Sequence, residues 1–168
     1  MSFYPKLGYL IFGSRLRRLS EYFLAEVNKV YTHAGISFDA SWFPLFFLLS
    51  EGKQLTLMDI AQELEVSHSA VSQLITNLKG KGLVTTTRCA EDGRRQLVEL
   101  TRKGTALLDQ VLPVWKAIGQ AMEELVQEDP QSKKILEAIS AVERSVADDP
   151  LSARILRAVD INTKTISL

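Results

Sequence analysis

The sequence has few of the residues that metal centres and nucleophilic catalysis require. It contains one cysteine, Cys89, and two histidines, His33 and His68, which lie in separate segments. A single cysteine excludes an internal disulfide framework and fits a reducing compartment, and this set offers no zinc site. No glycine-rich phosphate loop precedes a helix. We therefore expect no enzymatic activity, no cofactor and no bound metal.

Long hydrophobic runs are also missing. No stretch reaches the about 18 apolar residues of a membrane span, and the longest approach is residues 42–49. The apolar patch near the N-terminus is followed by its charges and has no small-residue cleavage site, so it does not resemble a signal peptide. A hydrophobic content of 46% without repeats or biased tracts indicates an ordered protein. These features predict a cytoplasmic globular protein.

The chain has no net charge, but its charges are unevenly distributed. Residues 67–103 contain seven Lys/Arg and three acidic residues, whereas residues 104–168 contain seven Lys/Arg and ten acidic residues. A local excess of positive charge is the electrostatic footprint of nucleic-acid binding. The zero total therefore does not exclude a nucleic-acid partner.

Residues 56–104 predict two short helices followed by a β-hairpin. Thr56 and Asp59 have the spacing of a capping box, and Ser67 can cap a second helix whose apolar residues recur on one side. The turn between the helices places Glu65 where glycine is common. Gly80 and Gly82 end the second helix, and residues 83–87 and 96–100 are rich in β-formers. This order of elements is a winged helix-turn-helix.

The outward side of the second helix lacks carboxylates. A solvated helix face usually carries Glu and Lys, whereas short polar side chains suit hydrogen bonding to base edges and phosphates. We therefore predict that this face binds DNA, with Gln73 as the best candidate for a bidentate adenine contact. The predicted contacts from this helix are Ser67, His68, Ser69, Ser72, Gln73, Thr76 and Asn77.

The predicted hairpin tip has two adjacent arginines, Arg94 and Arg95, beside an Asp-Gly turn. Positive charge is attracted to a narrow minor groove. Asp92 lies two residues before Arg94, and its carboxylate can accept a hydrogen bond from the Arg94 guanidinium. This hydrogen bond would orient the Arg94 side chain. Salt-dependent phosphate contacts are expected from the remaining cations. These are Lys79, Lys81, Arg88 and Arg95.

The combination of Asp92-x-Arg94 with a following Thr101-x-x-Gly104, after Gly82-Leu83-Val84, resembles the MarR family of bacterial transcription regulators. The resemblance covers about residues 7–127. It implies a homodimer in which N- and C-terminal helices of two subunits interlock, with a winged lobe on each side. It also implies a crevice for small aromatic effectors beside the first helix. Some members sense oxidants through a cysteine near the first helix; Cys89 lies at the wing instead and is interpreted as a bystander.

The flanking segments predict helices over residues 7–34, 42–50, 102–127, 131–147 and 151–159. Pro113 predicts a kink in the third of these helices. Their apolar stripes exceed what a winged lobe can cover, which favours a homodimer. The fold class expected is mainly α with a small β-wing. The domains expected are a dimerisation helix at 1–35, the winged lobe at 36–104, dimerisation helices at 105–160 and a tail at 161–168.

An effector crevice could be lined by aromatic residues of the first two helices. Aromatic residues at helical spacing are, however, usually core, and both interpretations stay open. The candidates are Tyr22, Tyr31, His33, Trp42 and Phe46.

The function expected is a sequence-specific, double-stranded-DNA-binding transcription regulator, a repressor, acting as a homodimer on a pseudo-palindromic operator and released by a small aromatic or phenolic ligand. Two alternatives stay open. One is a DNA-binding regulator without a ligand, and the other is a winged helix that binds protein.

Overall fold

The computed structural model describes residues 4–52, 55–88 and 96–165. The chain forms two compact units, Met1–Ile118 and Gly119–Leu168. The helices are α1 Phe12–His33, α2 Phe43–Ser50, α3 Leu57–Glu63, α4 His68–Gly80, α5 Arg102–Gln127, α6 Ile135–Asp148 and α7 Leu151–Thr165. The strands are β1 Leu55–Thr56, β2 Val84–Arg88 and β3 Gln96–Leu100. The described part of the chain contains no helix long and apolar enough to cross a membrane.

The first unit contains a winged helix-turn-helix, as predicted. Its sheet has the order β1-β3-β2, and both pairings are antiparallel. Val84 lies opposite Leu100, and Arg88 lies opposite Gln96. Strand β1 was not predicted, because two residues are too short to show a period of two; it is recognised only by its pairing with β3, where Leu55 lies opposite Val98.

The two helices of the helix-turn-helix begin and end as their sequences predict. Thr56 Oγ1 accepts from the Asp59 amide at 3.2 Å, while Asp59 Oδ2 accepts from the Thr56 amide at 2.8 Å, which completes the capping box. Ser67 caps α4 by accepting from the Ala70 amide. Between the helices, Glu65 has φ 52°, the left-handed conformation that glycine more often provides.

Gly104 explains the spacing Thr101-x-x-Gly104. A Cβ at Gly104 would lie 2.0 Å from the Leu83 carbonyl oxygen, so the close approach of α5 to the chain before β2 requires glycine. Thr101 holds the same junction: its amide donates to that oxygen at 3.0 Å, and its hydroxyl donates to the Gly82 carbonyl at 2.6 Å. The same hydroxyl oxygen accepts from the Gly104 amide.

The N-terminal helix is shorter than predicted. A 3₁₀ segment occupies Tyr4–Ile11, and α1 begins only at Phe12. The physical reason is Gly8, which has φ 52° and ψ −129° and so breaks the helical path inside the apolar pattern. The end of the helix is as predicted: the Ile36 amide donates to the Tyr31 carbonyl around Gly35, whose φ is 68°.

Helix α2 was predicted to be buried on most sides, and in the single chain this is wrong. Leu45, Phe46 and Leu49 are buried in the core, but Phe43 and Phe47 are 41% and 47% exposed. The helix is apolar nearly all round, and unit 1 covers only one side of it. The prediction failed because composition does not tell which sides of an apolar helix have neighbours.

Of the C-terminal helices, α5 has its predicted bounds, Arg102–Gln127, whereas α6 and α7 differ from theirs. Helix α5 is one helix through Pro113. Helix α6 begins at Ile135 instead of 131, because a turn at residues 128–134 includes Pro130. Helix α7 continues to Thr165, beyond the predicted end at 159, so residues 160–165 are helical. The sequence did not predict this last part of α7, because residues 160–165 are mostly polar and show no apolar periodicity.

Candidate nucleic-acid interface

Helix α4 separates an apolar side from a polar side. Val71, Ile75 and Leu78 are buried at 3% exposure or less and pack in the core. The opposite side is open to solvent, and Ser72 is the one half-buried member of the predicted contact set on this helix. The exposed members are Ser67, His68, Ser69, Gln73, Thr76, Asn77 and Lys79. The helix therefore presents hydrogen-bonding side chains on a rigid support.

The hydroxyls of this polar face are partly occupied by the helix itself. Ser67 caps the N-terminus and lies 3.0 Å from the Ser69 hydroxyl, and Thr76 donates to the Ser72 carbonyl at 2.8 Å. In the part of the chain that the structure describes, the side-chain amides of Gln73 and Asn77 form no hydrogen bond. Each amide has both donors and an acceptor available for a partner.

Three lysines gather around the end of α4, and the lobe holds each of them. Lys79 Nζ donates to Thr86 Oγ1 of β2 at 2.8 Å, and Lys103 Nζ donates to the Lys81 carbonyl at 2.9 Å. The Lys81 ammonium lies 5.4 Å from the centre of the Trp42 ring. Arg88 is exposed at the end of β2. Three of the four cations predicted for phosphate contacts thus lie along one end of α4 and the adjoining strand. They are Lys79, Lys81 and Arg88.

The predicted wing contacts, Asp92, Arg94 and Arg95, lie outside the described residues, as does Cys89. Arg88 and Gln96, the described residues on either side, lie opposite each other in the sheet.

The predicted crevice residues divide into two groups. Tyr31, Trp42 and Phe46 belong to one aromatic cluster, in which Phe38 contacts all three rings at 5.0 to 5.5 Å between centroids. Tyr22 and His33 are exposed and lie outside this cluster. Two members were not predicted: Phe38, which follows α1 in a loop, and Trp115 of α5, whose ring lies 6.1 Å from Phe38. Their contacts are between distant segments, so no local pattern identifies them.

Tyr31 is the buried titratable group of this cluster. It is 1% exposed, and its phenol oxygen accepts from Trp115 Nε1 at 3.0 Å. Burial raises the pKa of the Tyr31 phenol, against the opposing effect of the Trp115 hydrogen bond. The phenol therefore stays protonated at neutral pH and keeps a proton to donate. Among the described residues, no group of three or more His, Cys, Asp or Glu side chains could hold a metal ion.

Residues 35–95 match the family model described as MarR family. This segment is therefore similar to the MarR family. It covers the chain from the end of α1 through the predicted wing, and so includes the polar face of α4 and the ring of Trp42. No curated protein sequence matches the chain.

Solved structures of regulators share the fold of this chain. The repressor CouR bound to a 23-mer DNA duplex is 22% identical, with a TM-score of 0.66 over 82% of this chain and 96% of that one. The S. aureus MepR–DNA complex is 20% identical, with a TM-score of 0.67 over 81% and 97%. Bordetella bronchiseptica BpsR, whose DNA binding is regulated by 6-hydroxynicotinic acid, is 24% identical, with a TM-score of 0.61 over 81% and 92%.

Proposed function

We propose that the chain is a cytoplasmic transcription repressor that binds a pseudo-palindromic operator as a homodimer. The observation that carries the proposal is the polar face of α4, which is exposed, rigidly backed and free of carboxylates. Such a face fits the floor of a major groove, where amides and hydroxyls can meet base edges. A winged helix that binds protein would be expected to present an apolar or acidic face here.

Gln73 and Asn77 are the residues most suited to read base edges. Their side-chain amides have no partner within the described chain, whereas the hydroxyls of Ser67 and Thr76 already form hydrogen bonds within the helix. A Gln amide can form a paired hydrogen bond with N6 and N7 of adenine. The oxygens of these hydroxyls can still accept a further hydrogen bond. They therefore suit contacts to the DNA backbone, which fix the register of the protein on the duplex.

A second copy of the chain is the proposed partner of the exposed apolar residues. In α1, Phe12, Leu16, Leu19 and Val30 are 42% to 47% exposed. In the second unit, Ile139, Val142 and Val146 of α6 are 40% to 45% exposed, and Leu151, Ile155 and Val159 of α7 are 51% to 60% exposed. Apolar stripes of this length on helices require a partner surface. A two-fold dimer would supply one and would place two α4 helices on successive major grooves.

The wing is proposed to contact the minor groove through Arg94, oriented by Asp92, with Lys79, Lys81, Arg88 and Arg95 beside phosphates. Arg94→Ala is then expected to weaken binding to specific and random DNA more evenly than Gln73→Ala does. Affinities of Arg94→Ala equal to those of the wild type at every salt concentration would contradict the wing assignment.

A small aromatic or phenolic effector is proposed to act at the cluster of Tyr31, Trp42 and Phe46, where the Tyr31 phenol keeps a proton to donate. Such a ligand changes DNA affinity only if it binds the DNA-bound and free conformations differently. Aromatic carboxylates should therefore both raise the melting temperature and release DNA. Failure of both effects would leave a regulator without a ligand.

Footprinting on the promoter of the chain's own gene tests the whole proposal. The expected result is two protected half-sites whose centres are about one helical turn apart, the spacing of a two-fold helix-turn-helix dimer. A single protected half-site would contradict the dimer, and no protection at any salt concentration would contradict regulation of this promoter.

A further inference from the structure

The end of α4 makes a contact with the start of α2. Lys81, the residue that caps α4 at its C-terminus, places its ammonium 5.4 Å from the centre of the Trp42 ring. This is within the range of a cation–π interaction, for which tryptophan is the best ring. Trp42 is half-buried, and Lys81 is exposed. The contact therefore holds a charged group at the surface and does not bury it.

The backbone that carries Lys81 is fixed independently of this contact. The Lys81 amide donates to the Asn77 carbonyl, and the Leu83 amide donates to the Leu78 carbonyl across Gly82, whose φ is 69°. The Lys81 carbonyl also has a partner, because Lys103 Nζ donates a hydrogen bond to it. Only the four-carbon stem of Lys81 keeps its freedom, and Trp42 is the group that restricts it.

The Trp42 ring is itself anchored in the core. Phe38 meets it edge to face at 5.5 Å, with 74° between the ring planes. Phe38 is 7% exposed and also packs edge to face on Tyr31 and Phe46. A ring supported in this way is a rigid surface for the ammonium, unlike a flexible side chain at an exposed position.

We propose that Trp42 is a positioning residue for DNA binding, which holds the Lys81 ammonium in place to contact a phosphate. An ammonium over a ring keeps N–H donors for a phosphate oxygen. A side chain restrained before binding loses less conformational freedom when the complex forms. This inference rests on the proposed DNA binding and adds to it a role for a residue that does not touch DNA.

A double-mutant cycle on DNA binding tests the inference. Affinity for a random-sequence duplex is measured by fluorescence anisotropy for the wild type, Trp42→Leu, Lys81→Met and the double variant, because phosphate contacts do not depend on sequence. In the wild-type background, Trp42→Leu is expected to lower the affinity for this duplex by about threefold per subunit, the order expected for an exposed cation–π contact. In the Lys81→Met background it is expected to have no effect. Trp42→Phe keeps a ring and should recover most of the loss.

Phe43→Leu is the matched control. Phe43 follows Trp42 directly, is 41% exposed, and its ring packs on Phe47 and Trp115, so its loss should leave DNA affinity unchanged. Thermal unfolding of every variant verifies that it is folded. An equal loss from Trp42→Leu in both backgrounds would overturn the inference and leave the proposed function intact. A wild-type chain that binds no duplex at any salt concentration would overturn both.

Discussion

At the scale of single residues, Gly104 has the clearest structural requirement. A Cβ at this position would meet the Leu83 carbonyl oxygen at 2.0 Å, and that oxygen belongs to backbone that the Thr101 amide holds by a hydrogen bond. Gly104→Ala should therefore lower the free energy of unfolding by about 1–3 kcal/mol, the usual cost of forcing extra atoms into a packed site. Chemical denaturation, followed by circular dichroism, measures this difference.

Gly119, in the same helix, is the control for this prediction. A Cβ there would meet no atom within 4 Å, and Gly119→Ala should raise stability by roughly 0.5–1 kcal/mol, because alanine is the better helix former. Equal effects of the two substitutions would contradict the close contact at Gly104.

Residue-scale predictions from sequence succeeded where the interaction is local. The capping box of Thr56 and Asp59 and the cap at Ser67 depend on residues three positions apart, so their spacing is visible in the chain. The contact of Lys81 with Trp42 and the hydrogen bond from Trp115 to Tyr31 join distant segments. Nothing in the local pattern distinguishes those side chains from ordinary surface or core residues.

At the scale of elements, the corner between α6 and α7 depends on charge. Arg157 donates to the carboxylate of Asp149, and Arg154 donates to the carbonyls of Asp149 and Ser145 at 2.9 Å and 2.8 Å. The hydrogen bond from Arg157 lowers the pKa of the Asp149 carboxyl, against the effect of partial desolvation, and the charges of Arg157 and Arg154 lower it further. The carboxylate form is therefore the one that stabilises the corner.

This corner predicts a pH dependence of stability. Because the pKa of Asp149 is lower in the folded chain than in the unfolded one, its stabilising effect is complete above the unfolded pKa, about 3.9. The effect is lost as the pH falls through the lower, folded value. The melting temperature of the wild type should therefore exceed that of Asp149→Asn near neutral pH, and the gap should close in strong acid.

Asp148→Asn removes the same charge from the neighbouring residue, which has no ion-pair partner in the described chain. This variant should keep the wild-type melting temperature near neutral pH. A gap between wild type and Asp149→Asn that does not narrow in acid would contradict a role for the ionised carboxylate.

The ends of elements were less predictable than their existence. Patterns of apolar residues identified all seven α-helices of the described chain, but Gly8 delays the start of α1 and the turn at residues 128–134 delays α6. Helix α7 extends past its apolar stripe to Thr165. Periodicity reports which face of a helix can be buried; its first and last turns depend on backbone conformation and capping.

At the scale of the whole molecule, the exposed apolar positions predict a homodimer. Leu16 of α1 is 45% exposed, and a charge placed there would occur twice in a two-fold interface. Leu16→Glu should raise the dissociation constant of the dimer by on the order of tenfold or more. Sedimentation equilibrium measures this against a wild type expected at twice the chain mass of 18.8 kDa.

Ser14→Glu is the matched control, since it adds the same charge to α1 at an exposed position two residues away, on the other side of the helix. Ser14→Glu should sediment as the wild type does. A wild type that sediments as a single chain at micromolar concentration would contradict the dimer.

The sequence-specific contact of Gln73 is the central claim, and its most direct measurement compares two duplexes. Anisotropy gives the affinities of wild type and Gln73→Ala for the chain's own promoter and for random DNA. Loss of one paired amide should lower the promoter affinity by about 1–3 kcal/mol and leave random DNA nearly unchanged. Gln110→Ala, which removes an exposed amide from α5, should keep both affinities. If Gln73→Ala discriminates the promoter from random DNA as well as the wild type does, the claim is wrong.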